Sequence, residues 1–203
     1  MFFLHNVKKY NPLLFFCQAD YLIFSAFRLD YLIKETILQT LFSQDEIAGR
    51  VAELGREISS FYQNKELTLI VILNGAIPFA ADLMRHISIP MWVDSIAVQS
   101  YCNDASSGQV KFRSQLKLPV ENRHILVVDD ILDTGLSLQR VKNYLASMNP
   151  ASVRSCVMVQ KQLQKPAATQ AEWVGFSAPD SYLVGYGLDS NENGRNLPYI
   201  GLK

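Results

Sequence analysis

The sequence predicts an α/β protein built on a central, mostly parallel sheet flanked by helices. Two observations carry that prediction. The first is a set of short, continuously apolar, β-branched runs, Thr68–Leu73, His124–Val128 and Val153–Val159. Such runs suit strands covered on both faces. The second is the pattern after each of the first two runs: a polar break, then a stretch with helical spacing. Strand, loop, helix and strand at this length imply βαβ units and a parallel sheet. In such sheets ligands bind at the carboxyl ends of the strands. The loops after Leu73, Val128 and Val159 are therefore the places to look for chemistry.

Each element has its own local justification. Ser43-Gln44-Asp45-Glu46 has the capping-box pattern, in which the Ser and Glu side chains satisfy the free amides of a helix start. Ile47, Val51, Leu54, Ile58 and Phe61 come next at spacings of four, three, four and three, which predicts one apolar helical face. Asn74-Gly75 breaks the first strand, and Pro78 opens a helical stretch through His86, since proline suits a first turn. Past the second strand, a polar loop leads to a helix predicted over Ser137–Met148. Leu138, Val141 and Leu145 lie on its inner face, and Asn149-Pro150 stops it.

Bulk properties bound the function. The 203 residues are 49% hydrophobic and 19% charged, enough for one domain with a real core. Lys+Arg and Asp+Glu balance at 19 each, so no basic excess points to nucleic acid or a membrane surface. The three cysteines, Cys17, Cys102 and Cys156, form no C-x-x-C pair. That argues against a disulfide framework or a zinc site and fits a reducing cytoplasm. Residues 1–33 read differently, as an N-terminal extension ahead of a single domain over 34–203. Their apolar stretch Leu13–Phe27 is interrupted by Gln18 and Asp20 and falls short of a membrane span.

The decisive segment is Val127-Val128-Asp129-Asp130-Ile131-Leu132-Asp133-Thr134-Gly135-Leu136-Ser137. It places two adjacent carboxylates at a strand end. A turn rich in Thr, Gly and Ser then enters a helix. Backbone amides at a helix start, with hydroxyls beside them, form an anion cradle, and Gly135 lets the main chain come close. Carboxylates cannot share that anion. They suit neutral hydroxyls or a metal. One acidic half and one anion-binding half together fit a ribose phosphate. Asp133 also reads as a helix cap, a position where Asp is favoured.

This segment strongly resembles the phosphoribosyl-pyrophosphate signature of the type I phosphoribosyltransferases, and other stretches narrow it to the hypoxanthine-guanine phosphoribosyltransferases. Ser100-Tyr101-Cys102-Asn103-Asp104 looks like that family's closing loop, and Leu73-Asn74-Gly75-Ala76 like its pyrophosphate loop. Pro179–Asp189 and Arg195–Gly201 resemble its base-binding hood. The resemblance covers roughly Ile47 to Leu202. It implies the type I fold with a small C-terminal hood, about 161–203, and transfer of phosphoribosyl from phosphoribosyl pyrophosphate to an oxopurine.

The resemblance also implies roles. Asp129 and Asp130 would bind the ribose hydroxyls, directly or through Mg²⁺. Thr134, Gly135, Leu136 and Ser137 would hold the 5′-phosphate, and Asp133 would serve as acid/base at the purine N7. Asn74, Gly75, Ser100, Tyr101 and Arg195 would hold pyrophosphate, with Asp189 as a further metal ligand. Lys161 would donate to the 6-oxo group, Tyr182 would stack on the purine, and Leu183 would meet its edge through the backbone. Leu136 and Asn74 depart from the pattern, since relatives often carry a longer polar or basic residue at the first and a basic residue at the second. The resemblance also implies a cis peptide bond ahead of residue 74, and a homodimer or homotetramer. Two alternatives remain: a donor-sensing regulator, and a sister transferase for xanthine or another base.

Overall fold

The computed structural model describes residues 39–98 and 116–203. The extension 1–33 and the residues Ser100 and Tyr101 lie outside the described residues. Within them lie eight strands and three helices. They are β1 (Gln39–Phe42), α1 (Gln44–Phe61), β2 (Leu67–Leu73), α2 (Ile77–His86), β3 (Met91–Ala97), β4 (His124–Leu132), α3 (Leu136–Ala146), β5 (Ser152–Gln162), β6 (Trp173–Pro179), β7 (Leu183–Val184) and β8 (Ile200–Leu202).

The main sheet has the order β3-β2-β4-β5-β6, and every neighbouring pair in it is parallel. Alternation along its central strands sorts the side chains onto two faces, as the period of a strand requires. Leu67, Leu69 and Val71 of β2 and Leu126 and Val128 of β4 pack with Ile47, Val51, Leu54 and Ile58 of α1 and Phe79 and Leu83 of α2. Ile70 and Ile72 of β2 and Ile125 and Val127 of β4 pack with Leu138, Val141 and Leu145 of α3. Both faces of the central strands are thus covered by helices, which is why their sequences read as unbroken apolar runs.

The capping box at Ser43 forms as expected. The Glu46 amide donates to Ser43 Oγ at 3.4 Å, and the Ser43 amide donates to Glu46 Oε2 at 2.8 Å. That acceptor role holds the Glu46 carboxyl below its ordinary range. One expectation for this helix fails. Phe61 does not enter the core but stays 40% exposed, with the Lys65 ammonium 4.3 Å and the Arg154 guanidinium 4.5 Å from its ring. The next residue, Tyr62, takes the buried place, because the helix ends at Phe61 and the chain turns inward.

A second small sheet, β1-β8-β7, is antiparallel. The hood region therefore includes β1 from ahead of α1, while β6 forms an edge of the main sheet. Short loops lead out of β2, β4 and β5, and all three open at the same end of the main sheet, as its parallel order requires.

Candidate active site

The end of β4 is where the structure departs most from a simple strand-then-loop reading. Asp129 and Asp130 are still strand residues, because β4 runs on to Leu132. Asp129 is buried. Its Oδ1 accepts from the Asp130 amide at 3.1 Å, and Asp130 Oδ1 accepts from the Ile131 amide at 2.9 Å. Burial pushes both carboxyls above the usual carboxylate range. Asp129 is raised further by the charge of Asp130, whereas the Ile131 amide and the nearby Arg195 guanidinium restrain Asp130.

These shifts bear on stability by linkage. A carboxyl whose folded pKa is raised contributes stability below its unfolded value, roughly 3.9, and that contribution is lost as pH rises through the folded value. The acidic pair therefore weakens the ligand-free fold at neutral and higher pH. Asp129→Asn keeps the shape without the charge. It is expected to raise the ligand-free melting temperature by a few degrees near pH 8 and to lose that advantage towards pH 4. Melting curves across this range check it, and equal melting temperatures at high pH would contradict it.

Beyond the acids the chain turns into α3. Its N-cap is Gly135 at φ 76°, and no side chain caps the helix. Asp133 is therefore not the cap of α3. The left-handed backbone strains any side chain at Gly135, and a Cβ there would also sit tightly against the backbone nitrogens of Ala168 and Thr169, at 3.1 Å. The uncapped amides of the first turn are left for an anion. Leu136 is half exposed and does not line the cavity here; position 136 has only its backbone to offer.

The cavity at this strand end encloses about 280 Å³. Asn74, Gly75, Asp129, Asp130, Asp133, Thr134, Gly135, Ser137 and Arg195 all line it. The Leu73–Asn74 peptide bond is cis. The backbone of Gly75 lies directly against Asp130, so that a Cβ there would land on the carboxylate. Gly187 in the hood approaches just as closely: its Cβ would land on the Gly75 carbonyl oxygen.

Lys161, Tyr182, Leu183 and Asp189 do not line that cavity; Lys161 and Asp189 reach it through ion pairs with two residues that do, Asp133 and Arg195. In the first pair, Lys161, near the end of β5, donates from Nζ to Asp133 Oδ2 at 3.2 Å and lies 3.8 Å from Asp180 Oδ1. In the second, Arg195 Nη2 pairs with Asp189 Oδ1 at 2.7 Å, and its Nη1 donates to the Gly187 carbonyl at 2.8 Å. Tyr182 is half exposed, and its hydroxyl donates to the Asp189 carbonyl at 3.2 Å. Leu183 is buried in β7, where it pairs with Leu202 of β8.

Sequence reasoning missed Asp180, Glu192 and Tyr186. Asp180 and Glu192 each add a carboxylate to a site cation, and their only signal was an acid near a turn. Tyr186 sits at φ 49° between Gly185 and Gly187, both also at positive φ, and its hydroxyl donates to Asp82 of α2 at 2.8 Å. It ties the hood to the helix that comes after the Asn74 loop. Among the described residues no group of three or more His, Cys, Asp or Glu side chains forms a ready metal cage. Nor is any helix of theirs long and apolar enough to cross a membrane.

A parallel α/β sheet whose central strand carries an acidic pair near its carboxyl end, with an uncapped helix start beyond it, has the architecture of an α/β enzyme with a site for an anionic ligand. The comparisons with known proteins agree. The model of the phosphoribosyl transferase domain matches residues 38–191, and the chain belongs to that enzyme family. It is 41% identical over 172 residues to the hypoxanthine-guanine phosphoribosyltransferase of Bacillus subtilis, covering 84% of this chain and 96% of that protein. It is 37% identical to the hypoxanthine-guanine-xanthine phosphoribosyltransferase of Tritrichomonas foetus, over 81% of this chain and 90% of that one. Among solved structures, a hypoxanthine phosphoribosyltransferase from Staphylococcus aureus superposes with a TM-score of 0.80 at 34% identity, covering 85% of this chain and 95% of that chain.

Proposed function

We propose that this enzyme serves purine salvage, transferring the 5-phosphoribosyl group from phosphoribosyl pyrophosphate to N9 of hypoxanthine and guanine. The products are IMP or GMP and pyrophosphate. One observation supports the reading: the Lys161 ammonium lies 3.2 Å from the carboxylate of Asp133, which lines the cavity. In an oxopurine the 6-oxo group and N7 share one edge of the base. An adjacent cation and carboxylate address both atoms at once, Lys161 donating to the oxygen and Asp133 receiving or holding a proton at N7. The ammonium disfavours adenine, whose 6-amino group offers donors there.

The other roles follow from chemistry. Asp129 and Asp130 accept from the ribose 2′- and 3′-hydroxyls. The amides from Thr134 through Ser137, in the turn entering α3, take the 5′-phosphate. Arg195 and the amides around Gly75 grip pyrophosphate, and the family resemblance adds Ser100 and Tyr101 to that group. Tyr182 stacks on the base and the Leu183 backbone meets its edge. Asp129, Asp130 and Asp189 are hard oxygen donors that suit Mg²⁺, which is commonly held by one or two carboxylates together with substrate phosphates rather than by a full protein cage. When bound, the ion neutralises charge on the departing pyrophosphate. Catalysis by the chain itself is then positioning, stabilisation of the positive charge on the ribose, and exclusion of water.

A homodimer or homotetramer working in the cytoplasm, without nucleic-acid partners, belongs to the same proposal and rests on the family resemblance. The test is pyrophosphate release by purified protein with Mg²⁺, the donor, and each of hypoxanthine, guanine, xanthine, adenine and uracil. Turnover is expected with hypoxanthine and guanine. Turnover with uracil alone, or with no base, overturns the proposal.

A further inference from the structure

The hood turn leading to Arg195 is built in a way its backbone does not favour. Ser190 and Asn193 exchange backbone hydrogen bonds at 2.9 and 3.1 Å, which leaves Asn191 and Glu192 as the two corner residues. Both have positive φ, 52° and 63°. Two-residue corners of this kind favour Asn first and Gly second. Asn191 conforms. Glu192 places a Cβ-bearing residue in the left-handed region, where glycine is the unstrained choice.

The Glu192 side chain has a specific partner. Its Oε2 lies 3.0 Å from Arg195 Nη2, the nitrogen that also holds Asp189. The Glu192 amide donates to Asp189 Oδ2 at 2.8 Å, so Asp189 fixes the corner and the guanidinium together. With Nη1 on the Gly187 carbonyl, both terminal nitrogens of Arg195 are engaged by acceptors of the protein. Yet Arg195 lines the cavity. A polyanion entering there needs the same donors. Glu192, with its side chain 79% exposed against 29% for Asp189, is the acceptor most easily displaced.

We propose that Glu192 is an internal competitor of pyrophosphate for Arg195. It parks the guanidinium while the cavity is empty, yields it to an incoming pyrophosphate group, and reclaims it as pyrophosphate leaves. The proposal rests on the reading of Arg195 as a pyrophosphate-gripping residue.

Calorimetric titration of the full chain with inorganic pyrophosphate, in the presence of Mg²⁺, tests it on the wild type, Glu192→Gln, Arg195→Gln and the double variant. Glu192→Gln is expected to tighten binding up to about five-fold, the upper range for an exposed ion pair. Arg195→Gln weakens binding, and in its background Glu192→Gln gains nothing. Glu192→Gly is expected to tighten binding likewise while raising the melting temperature, since it also relieves the corner. If Arg195→Gln leaves affinity unchanged, the role of Arg195 falls and the proposal with it. If Arg195→Gln weakens binding but Glu192→Gln does not tighten it, or tightens it equally without Arg195, only the competitor role is overturned.

Discussion

Replacing Asp133 with Asn is expected to lower kcat by about 10²- to 10⁴-fold, the range for a positioned general acid or base. The change keeps the shape of the side chain and removes its capacity to take a proton. Asp133 is half exposed and its pair with Lys161 is open to solvent on that side. Such pairs contribute only about 0–1 kcal/mol, so the fold should hold. Donor affinity should also hold, because the acidic pair and the amides of the α3 start are untouched. Steady-state kinetics with donor and base varied separately checks this. A large fall in kcat with little change in the donor KM is expected. Equal effects on both would reject the acid/base role.

Gly75→Ala is expected to damage the site as severely by a different route. Its new methyl would land on the carboxylate of Asp130. That side chain is short, only partly exposed and tied to the Ile131 amide. The Gly75 carbonyl cannot retreat freely either, because the Gly187 backbone packs on it. Either Asp130 rotates off the ribose side or the Asn74–Ala76 turn shifts off the pyrophosphate side. A displacement of about 1 Å at such a site costs on the order of 10² in rate. The expected result is a fall in kcat/KM for the donor of that size, with circular dichroism unchanged. Wild-type kinetics would show that the close approach at Gly75 has no functional weight.

Much of the fold and site was legible in the sequence because the signals were local. The βα turn from Asp129 to Ser137 carries its chemistry in consecutive residues, so its place in the cavity could be read before any fold was known. The apolar runs of β2, β4 and β5 announced strands covered on both faces, and both faces are covered. The hidden features depend on contacts between distant segments. β1 has four residues and little pattern, and it becomes a strand by pairing with β8 at the far end of the chain. β3 alternates poorly, with Trp92 and Val93 both exposed, because it is an edge strand. Phe61 continued the helical spacing but lost its place in the core to Tyr62. The link between Tyr186 and Asp82 joins residues 104 apart in sequence, and no spacing rule reaches that far.

On this reading the turn leaving β4 grips a sugar phosphate, with acids on one side and free amides on the other. A crystal structure of the protein with a purine nucleoside monophosphate puts that grip to the test. The phosphate should lie on the backbone amides between Thr134 and Ser137, and the ribose hydroxyls should face Asp129 and Asp130. A nucleotide bound elsewhere, with that turn unchanged and unoccupied, would refute it.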